Sequence, residues 1–465
     1  MATVIFETIK SEKIEFVDLM YADLVGGWHH VTVPTDLFDK GLCEKGVGVD
    51  GSSVTGFRKV KSGDMVFIPD LDRHFLHPFT DRPTLCVLGD LLDVGAEEGF
   101  SRDARFVARK AERYLAKMRR GEQSRWLPEL EFYLFDSVEV YGRPGHTGYR
   151  ILSREAGAVD GEPRVPEHDS RRRGYHAASP DDRFENLRAD MCAALSAIGI
   201  PVKYHHHEVG PAGQMEIELN FMPLVTAADS VALAKWIIRN MADRHGFVAT
   251  FMPKPLHGEA GSGLHFHQYL LKGGRSVFYD EKGAPLSKVG LQYAAGLLGH
   301  GRAISAFANP STNSYKRLVP GFEAPVKLAY SVGNRTAAIR VPGYANTPKN
   351  VRMEYRPPDA TCNAYLTVAA MLMAGLDGIR RKLDPGKPLS RDIFHLPPEE
   401  LKAIPALPAS LEEALDALEA DYQFLLEGGV FTEDLLEAWI TMKRAEARDL
   451  AERPHPREFE RYLGV

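Results

Sequence analysis

Cysteine is scarce in this chain of 465 residues, which has only four, and no two of them form a C-x-x-C pair. They lie at Cys43, Cys86, Cys192 and Cys362. This spacing favours neither a disulfide framework nor a cysteine-bound zinc site, and it fits a reducing cytoplasm. No run of about 18 apolar residues occurs, so we expect no membrane span. The first residues lack a basic segment followed by a long apolar one, so we expect no secretion signal.

The chain also lacks an excess of charge of either sign. It has 57 lysine and arginine residues against 63 aspartate and glutamate residues, which gives a net charge of −6. Without a basic excess, a protein that binds nucleic acid through its phosphate backbone is not expected. With 44% hydrophobic and 26% charged residues, the composition is that of a globular protein rather than a disordered one. The length allows roughly three domain-sized units, or fewer if one is large.

The first 100 residues differ in pattern from the rest. Apolar runs at 14–21 and 28–33 flank Gly26-Gly27, which predicts a β-hairpin, and further short strand-like runs follow. A helix is predicted to open at Ser101. We therefore place a boundary near residue 100, which divides the chain into a small unit, 1–100, and a large unit, 101–465.

Helices and strands alternate in the large unit. Helical periodicity predicts helices at 227–244, 290–307, 362–381, 411–426 and 433–451. Ser410 and Glu413 predict a capping box for the fourth of these helices. Two stretches rich in turn-forming residues, 137–180 and 309–327, are expected to be loops, and loops of this length are often functional.

Several strand-like segments alternate so that one face carries acids, histidines or arginines. The paired positions are Glu129 and Glu131, Glu216 and Glu218, His265 and His267, and Glu354 with its polar neighbours; His205, His206, His207 and Glu208 form a further cluster. Taken singly, each segment fits a half-exposed strand with its polar side in water. Taken together, faces made almost only of Glu, His and Arg favour a site for divalent cations such as Mg²⁺ or Mn²⁺.

Arginine is concentrated near the end of the same region. Five arginines lie within 40 residues, at Arg317, Arg335, Arg340, Arg352 and Arg356. Surface ion pairing is their usual role, but a guanidinium group also clamps planar carboxylates and phosphates. Cations together with arginines suggest phosphoryl transfer, and the absence of a G-x-x-x-x-G-K-[ST] motif excludes a P-loop enzyme.

Nine motifs, in this order, resemble type I glutamine synthetase over essentially the full length. They are DGSS at 50–53, PELEF at 128–132, HHHEV at 205–209, GQME at 213–216, FMPKP at 251–255, GSGLHFH at 261–267, NSYKRLVPGFEAP at 313–325, NR at 334–335 and EYRPPD at 354–359. The resemblance implies an α+β protein. It has an N-terminal β-grasp domain, 1–100, which contributes to the neighbouring subunit's site, and a catalytic domain, 101–465, with a curved antiparallel sheet flanked by helices. It also implies a dodecamer of two hexameric rings.

The implied reaction joins ammonia to the γ-carboxylate of L-glutamate at the expense of ATP, through γ-glutamyl phosphate, and gives glutamine, ADP and phosphate. Two or three Mg²⁺ or Mn²⁺ ions are implied in each site. By resemblance, the first ion would be held by Glu131, Glu208 and Glu216, and the second by Glu129, His265 and Glu354. Glu218 shares their face but is not a ligand in the family, so we expect it to be solvated or paired. His206 is expected to be packed or hydrogen-bonded.

The remaining site residues follow from the same resemblance. Arg317, Arg356 and the backbone of Gly261 would hold glutamate; Arg335 and Arg340 would neutralise the transferring phosphate; His267, Lys349 and Arg352 would lie beside the nucleotide phosphates. Asp50 of the adjacent subunit would bind ammonium and take a proton from it, because ammonium itself is not a nucleophile. Glu323 would lie on a flap that closes over the acyl phosphate and excludes water.

Three departures from the family pattern matter. Gln268-Tyr269 follows His267 where the family usually has a serine near the adenine, so we expect the adenine contacts to differ. Ala260 stands where the family usually has an asparagine that helps to hold glutamate. Phe394 stands where some members carry an adenylylated tyrosine, so we expect no adenylylation there. The alternatives left open are a relative that makes γ-glutamyl amides from an alkylamine or polyamine, and a catalytically silent homologue. A two-metal nuclease is disfavoured by the arginines and the charge balance.

Overall fold

The computed structural model describes residues 2–58, 63–96, 98–155, 158–159, 162–163, 174–322, 324–389, 391 and 396–464. Glu323 and Phe394 lie outside the described residues. Within these ranges, none of the helices is long and apolar enough to cross a membrane.

The N-terminal part of the chain forms a five-stranded sheet with strand order β2-β1-β5-β4-β3. Its strands are β1 (Phe16–Ala22), β2 (Trp28–Pro34), β3 (Val47–Asp50), β4 (Asp64–Leu76) and β5 (Thr84–Asp93). The predicted hairpin is confirmed, since β1 pairs antiparallel with β2 across a turn in which Gly26 has a φ of 89°. Sequence reasoning missed two helices here, α1 (Ala2–Ser11) and α2 (Lys40–Lys45).

The rest of the chain is built on a ten-stranded sheet. The further strands are β6 (Gln123–Phe135), β7 (Ser137–Arg143), β8 (His146–Leu152), β9 (Ala158–Val159), β10 (Glu162–Pro163), β11 (Val202–His207), β12 (Gln214–Leu219), β13 (Met222–Pro223), β14 (Val248–Thr250), β15 (Leu264–Lys272), β16 (Arg275–Ser276), β17 (Tyr330–Val332), β18 (Ile339–Val341) and β19 (Met353–Tyr355). The main path runs β11-β12-β6-β15-β19-β18-β17 and is antiparallel except between β17 and β18. The predicted α+β class, with a curved antiparallel sheet, is confirmed.

One expected loop is partly wrong. The composition of 137–180 predicts irregular structure, but β7 and β8 form a hairpin through seven register pairs. Val138, Val140 and Ile151 supply enough β-branched residues for strands, although the glycines and arginines around them obscure the alternation.

Helices cover the large sheet. They are α3 (Ala104–Met118), α4 (Glu185–Ala197), α5 (Leu224–Arg244), α6 (Lys288–Gly299), α7 (Gly301–Ala308), α8 (Ser314–Arg317), α9 (Ala364–Arg381), α10 (Pro398–Ala403), α11 (Leu411–Ala420), α12 (Gln423–Leu426), α13 (Glu433–Ala451) and α14 (Pro456–Tyr462). The predicted 290–307 helix is two helices that meet at His300, and the predicted 411–426 helix is also two. Helix α9 is buried along most of its length, which places it at the centre of the core.

Helix ends follow local side-chain chemistry. Helix α3 begins after Asp103, whose carboxylate accepts hydrogen bonds from the amides of Arg105 and Phe106, rather than at Ser101. Ser410 caps α11 as predicted, but the Glu413 carboxylate accepts from the amide of Ala409 instead of closing the capping box. Gly378 of α9 packs where a Cβ would collide with the Gln292 carbonyl, so this glycine allows α6 and α9 to approach closely.

A buried carboxylate joins the small sheet to the helices of the large unit. Asp229 of α5 is fully buried and accepts hydrogen bonds from Arg105 of α3 at 2.9 Å, Arg73 of β4 at 2.9 Å and the Tyr365 hydroxyl of α9 at 2.7 Å. Burial raises the pKa of Asp229, but the two guanidinium groups outweigh it and hold the pKa below the usual value. Because three elements meet at one charge, this cluster fixes how the two units sit together.

We predict that Asp229→Asn lowers the free energy of unfolding by roughly 3 kcal/mol, because it leaves the buried Arg105 and the half-buried Arg73 short of a counter-charge. Asp243→Asn is the matched control, since Asp243 lies on the same helix and is exposed. Thermal and urea unfolding of both variants would check this. Equal midpoints for the two variants would contradict the proposed importance of Asp229.

Candidate active site

Three rows of polar side chains cross the large sheet from strand to strand. The register pairs His206 with Glu216 and Glu216 with Glu131; Glu218 with Glu129 and Glu129 with His265; and His267 with Glu354 and Glu354 with Arg340. Residues opposite each other on paired strands project from the same face of a sheet. The alternation predicted from the sequence therefore places all of these groups on one face.

That face is not a solvated one. Glu354 is fully buried, and Glu131, Glu216 and Glu218 are each no more than 8% exposed. The face forms one wall of a cavity of about 1060 Å³. The cavity is lined by all six predicted metal ligands: Glu129, Glu131, Glu208, Glu216, His265 and Glu354. The interpretation of these strands as half-exposed surfaces is therefore wrong.

One half of the cavity holds acids that repel one another. Burial, followed by the charges of Glu131 and Glu216, raises the pKa of Glu208 to about 9. Burial also raises the pKa of Glu216 well above its usual value, and Glu129 and Glu131 add to the rise. The Glu208 Oε2 atom is buried without a hydrogen-bond partner. His206 lies 3.6 Å from Glu208 and 3.5 Å from Glu216. This oxygen-rich group is chemically suited to a hard divalent cation.

The other half holds acids that already have cationic or hydrogen-bonding partners. Glu129 lies 3.0 Å from His265 and 2.7 Å from His267, and these histidines overcome the effect of burial and hold the pKa of Glu129 well below its usual value. Burial raises the pKa of Glu354, but Arg356 outweighs it and lowers the pKa to about 2. His265 Nδ1 is 3.7 Å from Glu354, so Glu129, His265 and Glu354 are close enough to share an ion. His267 lies with the same two acids, since one potential ligand atom from each of Glu129, His267 and Glu354 lies within 4.8 Å of the others.

Glu218 is neither solvated nor exposed. It is 1% exposed and accepts a hydrogen bond from Lys203 Nζ at 2.7 Å. Glu218 was expected to be either solvated or paired, and the structure shows that it is paired with Lys203.

Four of the predicted arginines line the cavity beside the acids, together with Gly261. They are Arg317, Arg335, Arg340 and Arg356. Arg340 Nη1 is 2.5 Å from Glu354, and Arg356 pairs with the same carboxylate. Arg317 is buried and donates to the Pro357 carbonyl at 2.7 Å, and burial lowers its pKa. Two of these guanidinium groups, those of Arg340 and Arg356, thus meet at Glu354.

Asp50 does not reach this cavity. It is exposed at the end of β3, where its carboxylate accepts hydrogen bonds from the Ser52 amide at 2.9 Å, the Ser52 hydroxyl at 2.7 Å and the Ser53 hydroxyl at 2.9 Å. These hydrogen bonds lower the pKa of Asp50, so the carboxylate is ionised at neutral pH.

The residues predicted for the nucleotide are only partly brought together. His267 and Arg352 are buried, lie 3.4 Å apart and do not line the described cavity, and the Arg352 guanidinium lies 5.3 Å from the Tyr344 ring. Lys349 is exposed and does not line the described cavity. Glu323 lies outside the described residues, although 321–322 and Ala324 line the cavity.

The loop 259–262 is held by side chains of the acid-bearing strands. The Tyr133 hydroxyl donates to the Ala260 carbonyl at 2.7 Å, and Gln214 Nε2 donates to the Gly261 carbonyl at 3.0 Å. Tyr133 and Gln214 are register partners on β6 and β12, one row beyond Glu131 and Glu216. The backbone of this loop is thus fixed although Ala260 has no side-chain amide.

Sequence reasoning missed an aromatic patch that lies against His206. Tyr175 and His176 stack with ring centroids 4.1 Å apart, and His176 lies 4.4 Å from His206. The Arg335 guanidinium lies 5.8 Å from the Tyr175 ring. Period-two alternation along β11 could have placed His206 on the acid face, but the sequence before Tyr175 and His176 has no periodicity that could have placed these two residues.

Comparison with known proteins adds to this geometry. The family model "Glutamine synthetase, beta-Grasp domain" matches residues 13–94, and "Glutamine synthetase, catalytic domain" matches residues 101–462. The glutamine synthetase of Aquifex aeolicus is 46% identical over 461 residues, covering 99% of this chain and 98% of that protein. The glutamine synthetase of Mycolicibacterium smegmatis is 44% identical, covering 99% and 98%.

Solved structures show the same likeness. The cryo-electron microscopy structure of Plasmodium falciparum glutamine synthetase superposes with a TM-score of 0.89 at 27% identity, covering 99% of this chain and 98% of that one. A GmaS structure in complex with ADP has a TM-score of 0.84 at 26% identity, with 99% of each chain covered.

We predict opposite effects of neutralising two neighbouring acids in the cation-free protein. Because the folded-state pKa of Glu216 is raised, its ionisation costs stability as the pH rises from about 4.5 through the folded-state pKa. Glu216→Gln should therefore stabilise the protein at pH 8, by roughly 1–3 kcal/mol. The folded-state pKa of Glu129 is lowered, so its ionised carboxylate stabilises the folded protein above about pH 4.5. Glu129→Gln should therefore destabilise the protein at pH 8.

Thermal unfolding in EDTA measures the stability of each variant without cations. Unfolding in a separate buffer that contains Mg²⁺ or Mn²⁺ and no EDTA measures the stability with cations. The cations should stabilise the wild-type protein more than the Glu216→Gln variant, since they relieve the repulsion that the variant lacks. A loss of stability in Glu216→Gln without cations would show that repulsion among these acids does not control the stability of the cation-free protein.

Proposed function

The chain belongs to the glutamine synthetase family, and we propose how the residues around its acid-lined cavity divide the work of that reaction. The protein is an ATP-dependent ligase that makes glutamine from glutamate and ammonia. The observation that supports the division of roles is the meeting of the six predicted metal ligands, which are buried or half-buried, and four arginines in a single cavity.

The divalent cations fit the two halves of the acid face. Glu131, Glu208 and Glu216 would hold one ion, because burial and the neighbouring acids raise the pKa values of Glu208 and Glu216, and a Glu208 oxygen lacks a hydrogen-bond partner. A second set, Glu129, His265 and Glu354, would hold another. Mg²⁺ or Mn²⁺, in two or three copies, is the expected cofactor, since carboxylate oxygens and one imidazole suit these metals. When bound, the ions supply positive charge to the phosphates of ATP.

The arginines hold glutamate and the phosphate that is transferred. Arg317, Arg356 and the backbone of Gly261 would orient glutamate so that its γ-carboxylate attacks the γ-phosphorus of ATP and ADP leaves. Arg335 and Arg340 would stabilise the charge on the phosphoryl oxygens, a role that suits permanently charged guanidinium groups. His267 and Arg352 would act near the nucleotide phosphates, with Lys349 at the surface of the same end.

Ammonia must then displace phosphate from the acyl carbon of γ-glutamyl phosphate. We assign ammonium binding and proton removal to Asp50 of a neighbouring subunit, because Asp50 is ionised and exposed but does not line its own chain's cavity. This assignment makes 1–100 a domain that completes the site of an adjacent 101–465 domain. A site shared between adjacent subunits requires an oligomer, and we expect a dodecamer of two hexameric rings. Glu323 is assigned to the flap over the acyl phosphate, and the cytoplasm is the expected compartment.

A larger amine as acceptor is not favoured by the family relationship. The absence of an asparagine at Ala260 suggests, from the sequence alone, weaker recognition of glutamate. The loop carbonyls are nevertheless held by Tyr133 and Gln214, so the loop does not need that side chain to keep its shape.

We expect glutamine formation from ATP, glutamate and ammonium with Mg²⁺ or Mn²⁺, and little product with methylamine, ethylamine or a polyamine. Product identification by mass spectrometry, together with phosphate release, checks this. Arg340→Gln should lower kcat by about 100-fold or more, because it removes charge from the phosphoryl group. Product only from the larger amines would overturn ammonia as the acceptor, and no product from any amine would indicate a silent homologue.

The shared site can be tested by mixing inactive subunits. Asp50→Asn and Arg340→Gln variants should each be inactive, whereas co-expression of the two should restore activity at about one quarter of the sites, if mixing within a ring is random. The matched control is a mixture of Arg340→Gln and Glu354→Gln, whose lesions fall in the same cavity of each chain. That mixture should stay inactive. Equal activity of the two mixtures would contradict a site shared between subunits.

A further inference from the structure

Lys254 connects two walls of the cavity without lining it. It is 9% exposed, and its Nζ donates a hydrogen bond to the carbonyl of Glu259. The same Nζ lies 3.5 Å from the centroid of the Phe322 ring. Glu259 and Phe322 both line the cavity, one in the loop that carries Gly261 and the other directly before Glu323. A single ammonium group therefore contacts both segments.

The backbone of Lys254 is held in place independently of its side chain. Its amide donates to Asn313 Oδ1 at 2.7 Å, and Asn313 Nδ2 donates back to the Lys254 carbonyl at 3.1 Å. A nearby bond from the Ser262 amide to the Pro253 carbonyl, at 2.8 Å, closes the base of the loop. Because the backbone of Lys254 is fixed, its ammonium group is the part of the side chain that links the 259–262 loop to Phe322. An ammonium group largely removed from water interacts strongly with a carbonyl and an aromatic face.

We propose that Lys254 is a positioning residue that couples the 259–262 loop to the 321–322 segment, so that glutamate binding and closure over the acyl phosphate occur together. The proposal rests on the function given above. If the walls separate, water attacks the acyl carbon of γ-glutamyl phosphate in place of ammonia, phosphate leaves, and glutamate is regenerated. ATP is then consumed without formation of glutamine. Lys254 would thus act on specificity for ammonia over water, and not on the chemistry of phosphoryl transfer.

Lys254→Met tests this, because it keeps the apolar stem and removes the ammonium group. We expect the KM for glutamate to rise about tenfold, which corresponds to losing one hydrogen bond and one cation–π contact. The ratio of ATP hydrolysed to glutamine formed should rise clearly above the wild-type ratio. Lys254→Arg should restore much of the coupling, since a guanidinium group can also donate to a carbonyl and stack on a ring.

Lys327→Met is the matched control. Lys327 is also partly buried and donates from Nζ to a backbone carbonyl, that of Ile404 at 3.0 Å, but it does not line the cavity. Its variant should leave the ratio of ATP to glutamine unchanged. Phe322→Leu gives a second test that does not depend on the stability of Lys254→Met, because Phe322 is only half-buried. The Lys254→Met/Phe322→Leu double variant should be hardly worse than Lys254→Met alone, as expected for two parts of one contact.

The proposed role of Lys254 and the proposed synthesis of glutamine can be contradicted by different results. A wild-type protein that makes no glutamine would contradict the function. With an active wild-type protein, an unchanged ratio in both Lys254→Met and Phe322→Leu would overturn the coupling. Strictly additive effects of the two substitutions would also overturn it, as would a rise in the ratio for Lys327→Met as large as that for Lys254→Met.

Discussion

Mutual repulsion between buried carboxylates is the constraint on which this site depends. Glu131, Glu208 and Glu216 are held together by a sheet whose backbone hydrogen bonds set their spacing whatever their charge. The sheet thus supplies the rigidity that keeps like charges close, and burial denies them water. On a flexible loop, these carboxylates could move apart and reduce their repulsion, but the rigid sheet prevents this. A divalent cation bound between them would neutralise the repulsion.

The two halves of the acid face meet the same constraint differently. Glu354 has Arg340 and Arg356 beside it, so it remains ionised without any metal. Glu208 has no guanidinium partner within the described residues and holds its proton more tightly. The chain's net charge of −6 therefore conceals a strong local imbalance. One half of the site is neutralised by the protein itself, and the other is where we propose that a divalent cation supplies the missing positive charge.

The sequence predicted the acid face well and its surroundings less well. Period-two alternation is local, so Glu129 and Glu131 could be placed on one face without knowledge of the fold. Which strands lie next to each other depends on tertiary pairing, so the pairing of Glu131 with Glu216 could be found only from the structure. The break at His300 was missed because apolar periodicity continues across it. The domain-joining role of Asp229 was also missed, because its partners come from three distant elements.

The loop 259–262 shows why the departure at Ala260 need not disturb the rest of the site. Tyr133 and Gln214 hold this loop from the row next to Glu131 and Glu216, on the same face of the same two strands. The spacing of the acids and the position of the loop are therefore set by one register, and a shift of that register would move both. A side-chain amide at position 260 would add a contact to a bound substrate. Because the strands that position the acids also hold the loop, an alanine at position 260 leaves the position of the loop relative to the acids unchanged.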